Sequence, residues 1–405
     1  HRYSPSQRKP MSAPAGPPSA PLASEAAPTP PQAPARLAWR RFWASPSAAV
    51  GALWLALATG VAIVGYPLLP DDSPGAARQL PALARQGPGT QALVLRLPLP
   101  APPPRVGPVA YWLGGQPAPW RYVALCEACP IAPPTTGTLR LREASGAPLA
   151  LAWRALLPPQ LAQAPAGQAW AHFSHMHLER LRFPLGTDAL GRCTLSRLLL
   201  GARVSMALGA LALAVSLALG VSVGLVAGYF AHSWADRALA WLMAVVWSLP
   251  SLLLAVAIAF AVGKGFAAIF LAVGLSTWVE MARIVRGQTL SLRERSYVEA
   301  ARVMGFSHAR ILLRHILPSL GGSIAILAAA NFATAILLEA GLSFLGLGVR
   351  PPTPSWGAMI AEGYPYLVLA QGKWLAIWPG LAMVSVIAAL HFVGAGLRAA
   401  LSPRG

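Results

Sequence analysis

"YVEAARVMGFSHARILLRHILPSL", residues 297–320, is a basic, helix-forming stretch set between two long apolar runs. Glu299 to Met304 is good helix material, and Gly305 can take the left-handed backbone that stops such a turn. Ser307 reads as the N-cap of a second helix over 308–316, which Pro318 prevents from extending. Arg310 and Arg314 lie four apart, on one face. The pattern predicts two short helices with a bend, too polar to insert into a bilayer. Such a pair can rest on anionic headgroups as an amphipathic surface element. It can equally serve as a knob for a groove in a partner, with the small side chains of Ala300 and Ala301 allowing close approach.

The surrounding chain explains why a polar segment stands out. Of 405 residues, 55% are hydrophobic and only 11% charged, with a mean hydropathy of +0.53. A soluble domain carries about 25% charged residues, so this chain cannot cover its own surface with polar groups, and a bilayer removes the difficulty. The net charge of +19 comes almost entirely from Arg. Nucleic-acid binding would want those residues clustered among polar and aromatic neighbours. Here they flank apolar spans, as in the short cytoplasmic loops of membrane proteins, so no nucleic-acid partner is expected. Residues 1–38, rich in Pro, Ala and Ser, read as a disordered cytoplasmic tail without the order of a signal peptide, with Met11 a candidate start.

Six segments have the length and apolarity to span a membrane: 44–69, 204–230, 238–263, 266–284, 320–347 and 374–397. Arg36, Arg40 and Arg41 place the N-terminus in the cytoplasm. Six crossings return Arg398 and Arg404 to the same side. The segment between the fourth and fifth spans is then cytoplasmic, in keeping with its Arg286, Arg293, Arg295, Arg302, Arg310 and Arg314. Residues 71–190 fall outside. There, "GTLRLREASGAPLALAW" alternates apolar and polar residues around a Ser-Gly turn, a hairpin signal, and Trp112, Trp120 and Trp153 could furnish a small β core. An irregular Pro-rich excursion is the other reading. Cys126 and Cys129 form a C-x-x-C that is either a local disulfide or two thiols. "HFSHMH", with His172, His175 and His177, reads as a solvated loop rather than a metal site.

Four stretches together resemble a known family. Glu299-Ala300-Ala301, Gly305 and Leu317-Pro318 look like the "EAA" loop of binding-protein-dependent ABC importer permeases. "PLGTDALGRCTLSRLLLGARVSM" (184–206) is similar to the segment before span two in their oligopeptide, dipeptide and nickel branch, through Gly186, Thr187, Asp188, Gly191, Arg192, Ser196 and Arg197. "GYFAHSWADRALAWLMAVVWSLPSLLLAV" and "EAGLSFLGLGVRPPTPSWGAMIAEG" (339–363) resemble the following parts. The chain departs from the pattern at Cys193, where Asp is usual, at Ser319 for Asn, and in a C-terminal "GAGLRAALSP" without its acids.

The resemblance implies an all-α polytopic membrane protein with six transmembrane helices of the ABC importer permease type. Its parts would be a tail (1–38), a first span (39–70), an extracytoplasmic loop or small β domain (71–190), and a core of five spans (191–403) with a coupling loop at 287–319. It implies partners as well: a second homologous permease, two cytoplasmic ATPase subunits and an extracytoplasmic solute-binding protein. Glu299, Ala300, Ala301, Gly305, Arg310, Arg314, Leu317 and Pro318 would then form the contact with the ATPase. The expected cargo is a di- or oligopeptide, with nickel or another small solute as the alternative.

The residues themselves argue against catalysis. None of Lys9, Lys264 and Lys373 stands in G-x-x-x-x-G-K-[ST], so ATP is expected to be handled by another chain, with no cofactor here. No span holds the H-E-x-x-H of an intramembrane metalloprotease. An ion-driven transporter would predict broken helices at the midplane and leaves the EAA loop unexplained. Three ionisable residues lie within spans and are candidates for function or for helix–helix contact: Glu280, spaced to pair with Arg283, Glu339 and His391. Gly220, Gly224 and Gly228 form a small-residue face that predicts close helix packing.

Overall fold

The computed structural model describes residues 34–126, 138–263, 265–369 and 371–401. Helix α1 (Pro34–Ala44) leads into α2 (Pro46–Val64), the first apolar helix. Residues 34–38, read from sequence as tail, are therefore the first turn of α1, while 1–33 lie outside the described residues. Gly65, at φ +63°, ends α2.

A mixed region follows: β1 (Thr90–Pro98), α3 (Pro108–Gly114), β2 (Trp120–Ala124), β3 (Leu139–Arg142), β4 (Pro148–Leu151), α4 (Pro159–Ala162), α5 (Ala166–His177) and β5 (Leu178–Phe183). The three-stranded antiparallel sheet runs β2-β1-β5, with Val94 opposite both Ala124 and Glu179. β3 and β4 form the hairpin expected around Ser145-Gly146, with Leu139 facing Leu151 and Gly146 at φ +90°. Leu139 and Leu141 point inward while Arg140 and Arg142 face out, the alternation of a half-buried strand. The core combines Leu95, Leu125, Trp153 and Phe173.

Two expectations change here. Trp112 is exposed on α3 and lies under the Arg203 guanidinium at 4.6 Å, outside the β core. The "HFSHMH" stretch is the end of α5, not a loop; His177 is buried there, its Nδ1 2.7 Å from the Arg96 carbonyl oxygen. The Cys126–Cys129 question falls on Cys129, outside the described residues.

The remainder is helical: α6 (Thr194–Tyr229), α7 (Trp234–Trp247), α8 (Ser251–Val262), α9 (Phe266–Leu292), α10 (Ser296–Val303), α11 (His308–Ile311), α12 (Leu317–Phe344), α13 (Trp356–Gly363) and α14 (Trp374–Leu401). Among the described residues, five helices are long and apolar enough to cross a membrane, or six if α7 and α8 form one bent span. The single third span expected over 238–263 is thus two helices meeting at 94°. Pro250 explains the break: it has no N–H for the helix ladder, and its ring pushes Leu249 out of helical geometry. Gly220, Gly224 and Gly228 do face α9; a Cβ on Gly224 would stand 2.6 Å from the Ala282 carbonyl oxygen. These glycines let two backbones touch, which is where lipid-embedded helices find their packing energy.

α6 is 36 residues long and starts ten residues before the expected span. At 1.5 Å per residue it measures roughly 54 Å, well beyond a hydrocarbon core of about 30 Å. Its ends must therefore project from the bilayer. So must those of the 37-residue helical run His308–Phe344 that contains α11 and α12.

Candidate functional site: an elbow between α9 and α12

α10 folds under the bundle because its apolar residues recur at three. Val298 and Ala301 are fully buried and join Leu225, Tyr229, Met281, Ile311 and Ile316 in one cluster. At its end the Gly305 N–H donates to the Arg302 carbonyl (2.9 Å) and the Phe306 N–H to that of Ala301 (3.1 Å). With Gly305 at φ +77° this is a Schellman termination, and the left-handed residue the sequence asked for is in place. Ser307 Oγ then accepts from the Arg310 N–H at 3.4 Å to start α11. Tyr229 at the end of α6 fixes the elbow, its hydroxyl 2.9 Å from His308 Nδ1 and its ring 5.2 Å below the Arg302 guanidinium.

Pro318 does not stop the second helix, contrary to the sequence expectation. Leu312–Ile316 forms a π turn that runs straight into α12, with Pro318 in the first turn of that helix. A proline is tolerated there because its missing N–H falls where the ladder has already widened.

The elbow sorts its residues by face. Glu299, Ala300, Gly305, Arg310, Arg314 and Pro318 are exposed, and Leu317 is half-buried. Ala301 is turned into the chain's own core, so it cannot offer a surface to a partner. At the tip stand two residues that the sequence reading passed over, Val303 and Met304, 88% and 63% exposed. Apolar side chains held that far out of a basic loop were not signalled by any local pattern.

A second constellation lies at the other end of α6. Asp188 accepts hydrogen bonds from the Leu190 and Arg192 N–H groups (both 2.9 Å), from Arg192 Nε, and from the Arg197 guanidinium. Both arginines also reach Glu362, at the end of α13, at 2.9 and 2.7 Å. Thr187 Oγ1 accepts from the Gln86 N–H and Ser196 Oγ from that of Asp71, each at 2.9 Å. Gly186 and Gly191 take positive φ, and a Cβ on Gly191 would overlap the Leu80 carbonyl. The seven residues of this segment, five before α6 and Ser196 and Arg197 in its first turn, thus come together, and they bind the mixed region to α6 and α13. Glu362 was not anticipated. Cys193 occupies the N-cap position of α6 without capping it, buried and unoxidised.

The three ionisable residues singled out within spans do not form one site. Glu339 is buried, accepting from Ser343 Oγ (2.8 Å) and Ser205 Oγ (3.2 Å), while Ser205 in turn accepts from the Trp356 N–H. It joins α12, α6 and α13. His391 is exposed, with Nδ1 2.9 Å from its own helix at the Ile387 carbonyl. Glu280 is exposed and, among the described residues, makes no ion pair; Arg283 instead lies 3.9 Å over the Trp247 ring. The Glu280–Arg283 pair suggested by spacing is displaced because α7 brings an aromatic face to the guanidinium.

Long apolar helices with a polar elbow docked under them describe a multi-pass membrane protein. Comparison with known proteins makes the class specific. The family described as binding-protein-dependent transport system inner membrane component matches residues 220–404. The glutathione transport system permease protein GsiD of Pectobacterium atrosepticum is 41% identical over 220 residues, covering 54% of this chain and 72% of that protein. GsiD of Shigella sonnei is 42% identical over 219 residues, covering 54% and 71%. Among solved structures, the inward-facing MetNI methionine ABC transporter aligns over 51% of this chain and 97% of that one, at 18% identity and a TM-score of 0.44.

The chain belongs to the inner-membrane permease family of binding-protein-dependent ABC importers. It is a multi-pass, non-catalytic membrane subunit of such a transporter.

Proposed function

We propose that the chain translocates short peptides and that the elbow carries the stroke of a cytoplasmic ATPase into the spans. The peptide class is supported by the relatives just named, whose names give glutathione, itself a tripeptide, as cargo. A binding protein outside would deliver it, and a second permease of the same type would complete the path. Residues 71–190 would face that outer side, with both termini inside.

One observation carries the coupling role. The elbow is anchored inward by Val298, Ala301, Ile311 and Ile316, yet presents Glu299, Val303, Met304 and Arg310 outward. A segment merely floating on headgroups needs no such anchor. Here a push on the outer face meets α6, α9 and α12 through one buried cluster. Rocking those helices is the rigid-body response expected of alternating access.

Gly305→Val and Glu299→Arg test this. Space is open around Gly305, so the valine costs only its backbone, about 1–2 kcal/mol, and misaims α11. Reversing Glu299 opposes a complementary partner surface. With the ATPase co-expressed, both variants should reach normal membrane abundance, retain less ATPase on purification and lose uptake. Unchanged ATPase retention and uptake in both would remove the coupling role.

A further inference from the structure

α7 does not run along the bundle. Near its start Asp236 pairs with Arg286 at 2.8 Å, and at its end Trp247 lies under Arg283. Met243 between them packs with Trp278, Val279 and Ala282, so roughly 16 Å of α7 meets roughly 12 Å of α9 between residues 278 and 286. α8, bent 94° from α7, packs along α9, with Ala255 and Ala259 in one cluster with Ile269 and Val273. With α8 and α9 following the membrane normal, α7 lies close to the membrane plane. Its exposed Trp234, Trp241 and Trp247 suit that placement, since tryptophan concentrates at the level of the headgroups.

Between α7 and α9 is a cavity of about 700 Å³, lined by Ala240, Met243, Ala244, Ser248 and the two arginines, with the Trp247 ring at its edge. Arg286 is neutralised by Asp236. Arg283 has no carboxylate partner among the described residues, although it is exposed and beside the cavity. The site therefore offers an uncompensated guanidinium above a floor of methyl and thioether groups, while the Ser248 hydroxyl donates to the Val245 carbonyl at 2.7 Å. Phosphate and glycerol ester have that division of polarity.

We propose that this cavity seats the headgroup of an anionic phospholipid from the cytoplasmic leaflet. The phosphate would meet Arg283, and the glycerol end would lie on Met243 and Ala244. Basic pockets between helices on the cytoplasmic side are where such headgroups bind. The proposal rests on the orientation given above, with the α9–α10 end inside.

Native mass spectrometry of the full chain, from micelles holding equal phosphatidylglycerol and phosphatidylcholine, tests it. The wild type should retain phosphatidylglycerol in preference. Arg283→Gln should weaken that preference about fivefold, the worth of one basic residue near a charged surface. Ala244→Asp, which supplies the missing carboxylate from the cavity wall, should do the same even if the first variant folds poorly. Inorganic phosphate added to the micelles should leave the lipid bound. Displacement by phosphate would assign a free-anion site and overturn the lipid. Equal retention by all three chains would overturn it too, leaving this face to a second permease. Labelling of Ser248→Cys by an impermeant thiol reagent reads the orientation separately: reaction from outside the cell would refute the topology, whatever lipid is retained.

Discussion

At the scale of residues, the most consequential side chain is Arg197. It is buried between two carboxylates that belong to different parts of the chain, Asp188 before α6 and Glu362 after α12. Removing one member of a buried ion pair leaves the others desolvated without compensation, at a cost of about 3–5 kcal/mol. Arg197→Met should therefore lower the melting temperature in detergent sharply. Glu362→Gln should cost much less, because that carboxylate is 38% exposed and water replaces the lost partner. A larger loss for Glu362→Gln than for Arg197→Met would mean that the network is organised around Glu362 instead. Half of this network was legible in advance. Asp188, Arg192 and Arg197 sit within ten positions of each other in one family-like segment, whereas Glu362 lies in another, 339–363, with nothing local to pair it with them. The failed Glu280–Arg283 pairing has the same cause in reverse, since its spacing was right and a distant tryptophan took the guanidinium.

At the scale of elements, apolar length identified nearly every long helix, and caps and breakers decided the ends. Gly305 and Ser307 were read correctly because left-handed glycines and N-cap hydroxyls act through their own backbone. The prolines misled. Pro250 broke a span expected to be whole, and Pro318, expected to end the second short helix, sits in the first turn of α12, into which that helix continues. What a proline does depends on whether its turn is supported by neighbours, which is tertiary information. The α6–α9 seam gives a sharper expectation. Gly224→Ala drives a methyl to within 2.6 Å of the Ala282 carbonyl and should destabilise by about 1–3 kcal/mol. Gly60→Ala, on α2 with no atom within 4 Å of the new methyl, should be neutral or slightly stabilising. Thermal unfolding of the two variants in the same detergent checks the contrast; equal losses would mean that the seam is not close-packed.

At the scale of the whole molecule, the chain is a helical bundle whose two polar assemblies lie at opposite ends of α6. The elbow holds Tyr229 at one end, and the Asp188 network holds Arg197 at the other. If residues 71–190 face outward, a cysteine at Ser145, on the tip of the β3–β4 turn, should react with an impermeant thiol reagent added to whole cells. A cysteine at Ser307 should react only after the membrane is opened. The reverse pattern would invert the proposed orientation.

The π turn at 312–316 has a consequence for how this protein can change. A widened turn holds one more residue than the α-helical ladder requires. Deleting any one residue there would let the helix close up and rotate everything before it by about 100° relative to α12. Val303 and Met304 would then point in another direction, and Val298, Ala301 and Ile311 would be turned out of the cluster that anchors the elbow. In an ordinary connecting loop such a loss is absorbed; here the segment works as a phase setting. Its length is specified as strictly as its composition, and a relative one residue shorter at this point would have to aim its tip by a different angle.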